Sequence, residues 1–220
     1  MPWGRSFDEY QTMFMLKSSD LQKDILGCGD GPAAFNHQLS TRGGRVTSID
    51  PIYAFSAAQI KTRIDEIYDE VLSQVSNNKA DFVWKNIKSV AELAQIRMQA
   101  MNDFLTDYEH GKQQGRYLAG ALPTLDFENE QFDLALCSHF LFLYSEHFSL
   151  DQHIKSVLEL CRVAKEVRIY PLVSLDGKKS PHLDAVINKL KKHNIKTLRQ
   201  KVDYEFQQGA TEMLVASSNS

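Results

Sequence analysis

The sequence predicts a three-layer α/β fold: a mostly parallel seven-stranded sheet with an antiparallel C-terminal hairpin and a helical insertion after the second strand. Three observations carry this. Asp24-Ile25-Leu26-Gly27-Cys28-Gly29-Asp30-Gly31, followed about twenty residues later by Ile49-Asp50, reads as strand, glycine turn, helix and second strand ending in an acid. Residues 132–137 form a near-continuous apolar run, typical of a parallel strand buried on both faces. The segments 196–206 and 212–216, parted by Gln207-Gln208-Gly209-Ala210, read as a closing hairpin.

The remaining elements follow in order. Residues 5–17 place Phe7, Tyr10, Met13, Phe14 and Leu16 at helical spacing. A short first strand covers 23–26. A helix over 32–42 is closed by Arg42-Gly43-Gly44, and the second strand covers 45–50. From 51 to 116 nothing reads as a strand. Phe55, Ile60, Ile64, Ile67, Tyr68, Val71 and Val75 recur at helical spacing, as do Val90, Leu93, Arg97, Met101, Phe104, Leu105 and Tyr108. The spacing predicts two long helices separated by Ser76-Asn77-Asn78-Lys79, with Trp84 near the start of the second. One short crossover helix would suffice, so the excess is an insertion. It is either a lid over the carboxyl ends of the strands or an extra packing or dimer surface. Strands at 117–119 and 167–170 and helices at 150–163 and 181–193 complete the alternation.

With 220 residues and 43% hydrophobic content, the whole chain, 1–220, reads as one domain with one core. The segment 1–20 is a cap on it. A net charge of −3 without a long basic run gives no electrostatic footprint for nucleic acid. Cys28, Cys137 and Cys161 show no metal or disulfide spacing and fit a reducing cytoplasm. The start MPWGRSFDEY lacks the apolar core of a signal peptide, and the densest apolar run, 140–144, is too short to cross a bilayer. No cluster of carboxylates and imidazoles suggests a metal.

The glycine turn admits a nucleoside-bearing cofactor because a backbone without side chains passes close to it. Asp50 can accept hydrogen bonds from both ribose hydroxyls. A dinucleotide site requires G-x-G-x-x-G, but the third position here is Pro32. The resulting G-x-G-x-G resembles motif I of the class I S-adenosylmethionine-dependent methyltransferases, which have a Rossmann-like fold. The likeness extends to Gly120-Ala121-Leu122-Pro123, where Ala121 replaces the usual acid beside adenine, and to the run from Leu125 to Asp133, where Asp126 replaces the usual Pro. It extends also to Ser138-His139-Phe140 and to Leu158–Val163, although Leu-Lys-Pro-Gly is missing there.

The resemblance implies S-adenosylmethionine as cofactor. It implies contacts from Gly27, Cys28, Gly29, Asp30 and Gly31, from Asp50 and Pro51, from Ala121 and Leu122, and from Ser138. Asp30 would meet the cofactor's amino group and Tyr53 would stack near adenine. Arg5 would clamp the carboxylate, with Tyr10 donating to it. His139, at the mouth of the site, and Tyr144 are the candidate catalytic residues; the other reading of His139 is a histidine that positions the cofactor or caps a backbone group. His37, His110, His153, His182 and His193 carry no motif and read as surface residues. The N-P-P-Y signature of amino-group methylation on nucleic acid or protein is absent, which leaves a small-molecule acceptor. An NAD-dependent oxidoreductase is disfavoured by Pro32 and the terminal hairpin. A protein that binds the cofactor without transferring from it would share the same motif.

Overall fold

The computed structural model describes residues 3–218. The sheet runs through β1 (Asp24–Cys28), β2 (Arg45–Ile49), β3 (Tyr117–Leu118), β4 (Phe132–Ser138), β5 (Ala164–Tyr170), β6 (Ile195–Lys201) and β7 (Glu212–Ser218). Its order is β3-β2-β1-β4-β5-β7-β6. The first five strands are parallel, and β7 lies antiparallel between β5 and β6. Helices α1 (Phe7–Met13), α2 (Phe35–Thr41), α3 (Ala57–Asn77), α4 (Val90–Gln113), α5 (Leu150–Val163) and α6 (Leu183–Lys192) cover it.

Alternation along the strands divides the core into two layers. Ile25, Val46, Leu134, Leu136 and Met213 face α1 and α2, burying Phe7, Tyr10, Phe14 and Phe35. Leu26, Cys28, Ala135, Cys137, Val167, Ile169 and Leu214 face α5 and α6, against Val157, Leu160, Leu183 and Val186. The insertion builds a third cluster: Ile60 and Ile64 of α3 pack with Met101, Phe104 and Tyr108 of α4 around Tyr53 and Tyr117.

Local chemistry sets the helix starts. Ser6, Ser56 and Ser149 each begin a capping box, closed by Glu9, Gln59 and Gln152. Three expectations are corrected. The helix expected from residue 32 begins at Phe35. Trp84 belongs to the connection before α4 rather than to the helix. The strand expected over 196–206 stops at Lys201, because residues 202–211 leave the sheet to make contacts above it.

Those contacts define the working end. β6 runs in the direction of β5, so the 202–211 connection stands at the carboxyl end of the parallel strands, where open α/β sheets bind ligands. The connection between α3 and α4 reaches the same place. Val83 N donates to Phe206 O (2.7 Å), Gln208 N donates to Asp81 O (2.8 Å), and the Phe82 and Phe206 rings stack 4.9 Å apart. The segment leading into α1 completes the roof.

Candidate functional site

The glycine turn leaves β1 beside β2. Gly29 and Gly31 have φ of 72° and 55°, a region that side-chain-bearing residues avoid. Asp50 ties the turn down: its Oδ2 accepts from Gly31 N and its Oδ1 from Ile52 N, each at 2.9 Å. Burial raises the Asp50 pKa, against the opposing effect of those two amides. Tyr53 is fully buried and donates its hydroxyl to Gly31 O (2.8 Å), so it braces the turn from behind rather than stacking on a nucleobase.

Space around the glycines is used unequally. A Cβ on Gly27 would lie 1.8 Å from Asp30 Oδ2, and one on Gly29 would lie 3.0 Å from the Phe140 side chain. Of the three turn glycines, Gly31 alone has nothing within 4 Å. Gly27 therefore makes room for a carboxylate of the chain itself.

That carboxylate points inward. Asp30 accepts from Tyr10 OH (2.8 Å) and Ser48 OH (2.7 Å) and is 8% exposed. Its two hydroxyl donors belong to the chain itself, and one of them, Tyr10, is fully buried. The carboxylate points inward for a steric reason: the void at Gly27 and these two donors lie beneath the turn. Burial pushes the Asp30 pKa up to about 6 from 3.8, although the Ser48 and Tyr10 hydrogen bonds pull the other way. A carboxyl whose folded value is raised contributes most stability below pH 4, and loses it as pH rises from about 4 through about 6. Asp30→Asn is therefore expected to stabilise the protein by about 2 kcal/mol at pH 8 and to lose that advantage towards pH 4. Urea midpoints at pH 4, 6 and 8 measure this; a pH-independent difference refutes it.

Above the turn lies a buried charge cluster. Glu9 receives Arg97 on both oxygens, through Nη1 to Oε2 and through Nη2 to Oε1 (2.7 Å). Tyr204 OH adds a bond to Oε1 (2.6 Å), and Ser6 N and Ser6 OH donate to Oε2 (2.9 and 3.1 Å). Burial opposes ionisation of Glu9, but the Arg97 charge and hydrogen bonds prevail and hold its pKa far below the usual carboxylate range. Arg5, half-buried, stands next to Ser6 beside this cluster. Its Nη1 donates to Trp3 O (2.6 Å), while its buried Nε has no partner. Burial first, and Arg97 second, lower the Arg5 pKa. Glu9 is paired with Arg97, and Arg5 makes no ion pair with a carboxylate among the described residues. The backbone fixes this segment to the turn: Ala34 N donates to Arg5 O (3.0 Å), and a Cβ on Gly4 would lie 2.0 Å from Pro32 O.

His139 follows β4 with φ of 50°. Its amide donates to Tyr170 O (2.7 Å), its Nδ1 lies 3.0 Å from Ser138 Oγ, and its ring stands edge-on to Tyr170 at 5.3 Å. Tyr170 in turn meets Tyr204 at 5.8 Å, which joins His139 to the charge cluster. Burial, then the charges of Arg5 and Arg97, push the His139 pKa well down. Ser138 Oγ also lies 3.8 Å from Met13 Sδ.

Other expected residues are scattered. Tyr144 packs on His147 (5.9 Å between rings). Pro51 and Ala121 are exposed, and Leu122 packs on the α5 layer. Cys28 is buried beside Cys137 in the next strand, and burial drives its thiol pKa well up. His153, expected at the surface, is fully buried between Ser149 O (2.9 Å) and Leu141 O (3.0 Å). Glu9 and Tyr204 were not singled out by the sequence. Arg97 was, but only as one position of an apolar stripe, and an arginine in such a stripe is the one available signal. Among the described residues no group of three or more His, Cys, Asp or Glu side chains is placed to hold a metal ion.

No family model matches the chain. An uncharacterized protein of Methanocaldococcus jannaschii is 30% identical over 213 residues, covering 96% of this chain and 93% of that protein. The structure of the mitomycin 7-O-methyltransferase MmcR superposes with a TM-score of 0.52 at 10% identity, over 97% of this chain and 54% of that one. The magnesium protoporphyrin IX methyltransferase of Synechocystis, determined with bound S-adenosylmethionine, gives 0.48 at 10% identity, over 92% and 73%. The fold is that of the Rossmann-like, class I S-adenosylmethionine-dependent methyltransferases.

Proposed function

Because this chain belongs to the family of the uncharacterized Methanocaldococcus jannaschii protein and has the class I methyltransferase fold, we propose that it is a cytoplasmic S-adenosylmethionine-dependent methyltransferase acting on a small-molecule acceptor. One observation carries the proposal: the half-buried Arg5 side chain, whose inaccessible Nε has no partner and which pairs with no carboxylate, next to a glycine turn that is tied down by Asp50. An amino-acid carboxylate fits the first and a ribose the second. Arg5 would bind the carboxylate of the cofactor and Asp50 its sugar hydroxyls, while the backbone of Gly29–Gly31 passes alongside.

When bound, the cofactor supplies an electrophilic methyl group on a sulfonium. The protein's part is alignment and exclusion of water. The roof made by the α1 segment, the α3–α4 connection and residues 202–211 performs the second task. In support of the location, the three cysteines are free thiols, and among the described residues no helix is long and apolar enough to cross a membrane.

Calorimetry with S-adenosylmethionine, S-adenosylhomocysteine and NAD is the test. The first two are expected to bind and NAD is not. Ligand at a hundred times its Kd adds about 2.7 kcal/mol to stability, which a thermal shift detects. A folded protein indifferent to both sulfur compounds at millimolar concentration refutes the proposal. Release of S-adenosylhomocysteine in a metabolite panel then distinguishes an enzyme from a protein that only binds.

A further inference from the structure

We propose that α4, the second helix of the insertion, positions the cofactor turn, with Asp107 as a positioning residue that acts on Asp30 through Arg116, Asn36 and Ser48. The inference rests on the cofactor site proposed above and gives the insertion a part in that site besides its share of the roof.

The links are hydrogen bonds between buried groups. Asp107, on α4, receives Arg116 on both oxygens, Nη2 to Oδ1 and Nη1 to Oδ2, each at 2.7 Å, and Tyr117 OH on Oδ2 (3.0 Å). Arg116 Nη1 also donates to Asn36 Oδ1 (2.6 Å). Asn36, on α2, donates through Nδ2 to Ser48 Oγ and to Arg116 O, each at 3.0 Å. Ser48, on β2, donates to Asp30 Oδ2 beneath the glycine turn (2.7 Å). Asp107, Asn36, Ser48 and Asp30 are each 8% exposed or less.

The chain of bonds has one direction. A guanidinium only donates, so Arg116 takes the carbonyl oxygen of Asn36. That turns the amide nitrogen of Asn36 towards Ser48, whose oxygen accepts and whose single proton is thereby aimed at Asp30. Stability alone does not account for these groups, since well-packed apolar side chains of similar volume serve a buried site as well or better. A fully partnered polar chain adds a single defined geometry. The same helix reaches the turn by a second route. Phe104 stacks on the Tyr53 ring (6.0 Å), Tyr108 OH donates to Tyr53 O (3.0 Å), and Tyr53 OH donates to Gly31 O. One helix therefore holds the turn from beneath through Asp30 and from behind through Tyr53.

The test is calorimetry with S-adenosylhomocysteine on the full chain as wild type, Asp107→Asn, Ser48→Ala and the two combined. Each folded single variant is expected to bind about three- to thirtyfold more weakly. The double variant is expected to bind no more weakly than the worse single, because a chain cut twice loses no more than a chain cut once. Val71→Ala, at a buried position on α3, is expected to lower Tm and leave affinity unchanged. A second readout needs no ligand: the amide resonances of Gly29 and Gly31 are expected to move in Asp107→Asn and Ser48→Ala and to stay in Val71→Ala. Wild-type affinity in the folded single variants, multiplied effects in the double, or an equal loss in Val71→Ala overturns the positioning role. If the wild type itself does not bind, the cofactor reading fails instead. The glycine resonances then decide alone: moved in Asp107→Asn and Ser48→Ala they uphold the positioning role, unmoved they overturn it.

Discussion

Arg97→Met lowers the stability of the protein by about 3–5 kcal/mol, read as a shift of the urea midpoint at neutral pH. Methionine fills much of the volume and removes the charge. Glu9 is then left as a buried carboxylate with only Tyr204 and Ser6 as close donors. The loss exceeds that of a surface ion pair because both partners are removed from water: the Arg97 side chain is wholly buried and that of Glu9 is 8% exposed. Removing both charges together, in Glu9→Gln with Arg97→Met, is expected to recover part of the loss, since no uncompensated charge remains. A single variant within 1 kcal/mol of wild type would show that Glu9 finds another partner, with Arg5 the candidate.

The second large effect is on ligand affinity. Asp50→Ala weakens S-adenosylhomocysteine binding by about ten- to a hundredfold, the equivalent of one or two charge-assisted hydrogen bonds. The same change frees Gly31 N and Ile52 N, both now satisfied by the carboxylate, and removes the cap of the short 3₁₀ turn at Pro51–Ala54. A stability loss of about 1 kcal/mol accompanies it. Calorimetry on the folded variant checks the affinity, and wild-type affinity there ends the assignment of Asp50 to the sugar.

The sheet and its helices were legible because their signals are local. The apolar run 132–137, the glycines after β1 and the spacing of Ile60, Ile64, Ile67, Val71 and Val75 each read over a few residues. Even the antiparallel ending showed in two short segments and the turn between them. The lining of the site was less legible, because its decisive contacts join distant residues. Glu9 meets Arg97 across 88 positions and Tyr204 across 195. The contacts of Asp30 were hidden for a different reason. A carboxylate in a glycine turn suggests a ligand partner, and nothing in the sequence says that the missing Gly27 side chain leaves a hole for it, or that Tyr10 and Ser48 hold donors over that hole. The end of β6 was overestimated because residues 202–206 keep strand-like composition while Tyr204 and Phe206 are drawn to Glu9 and Phe82.

The placement of Glu9 has a consequence for biogenesis. Translation delivers Arg97 88 positions after Glu9 and Tyr204 195 positions after it. Until Tyr204 has been made, the helix that carries Phe7, Tyr10 and Glu9 lacks part of its berth. Its docking is a long-range closure that waits for sequence far downstream, rather than a step that can proceed as the segment itself is synthesised.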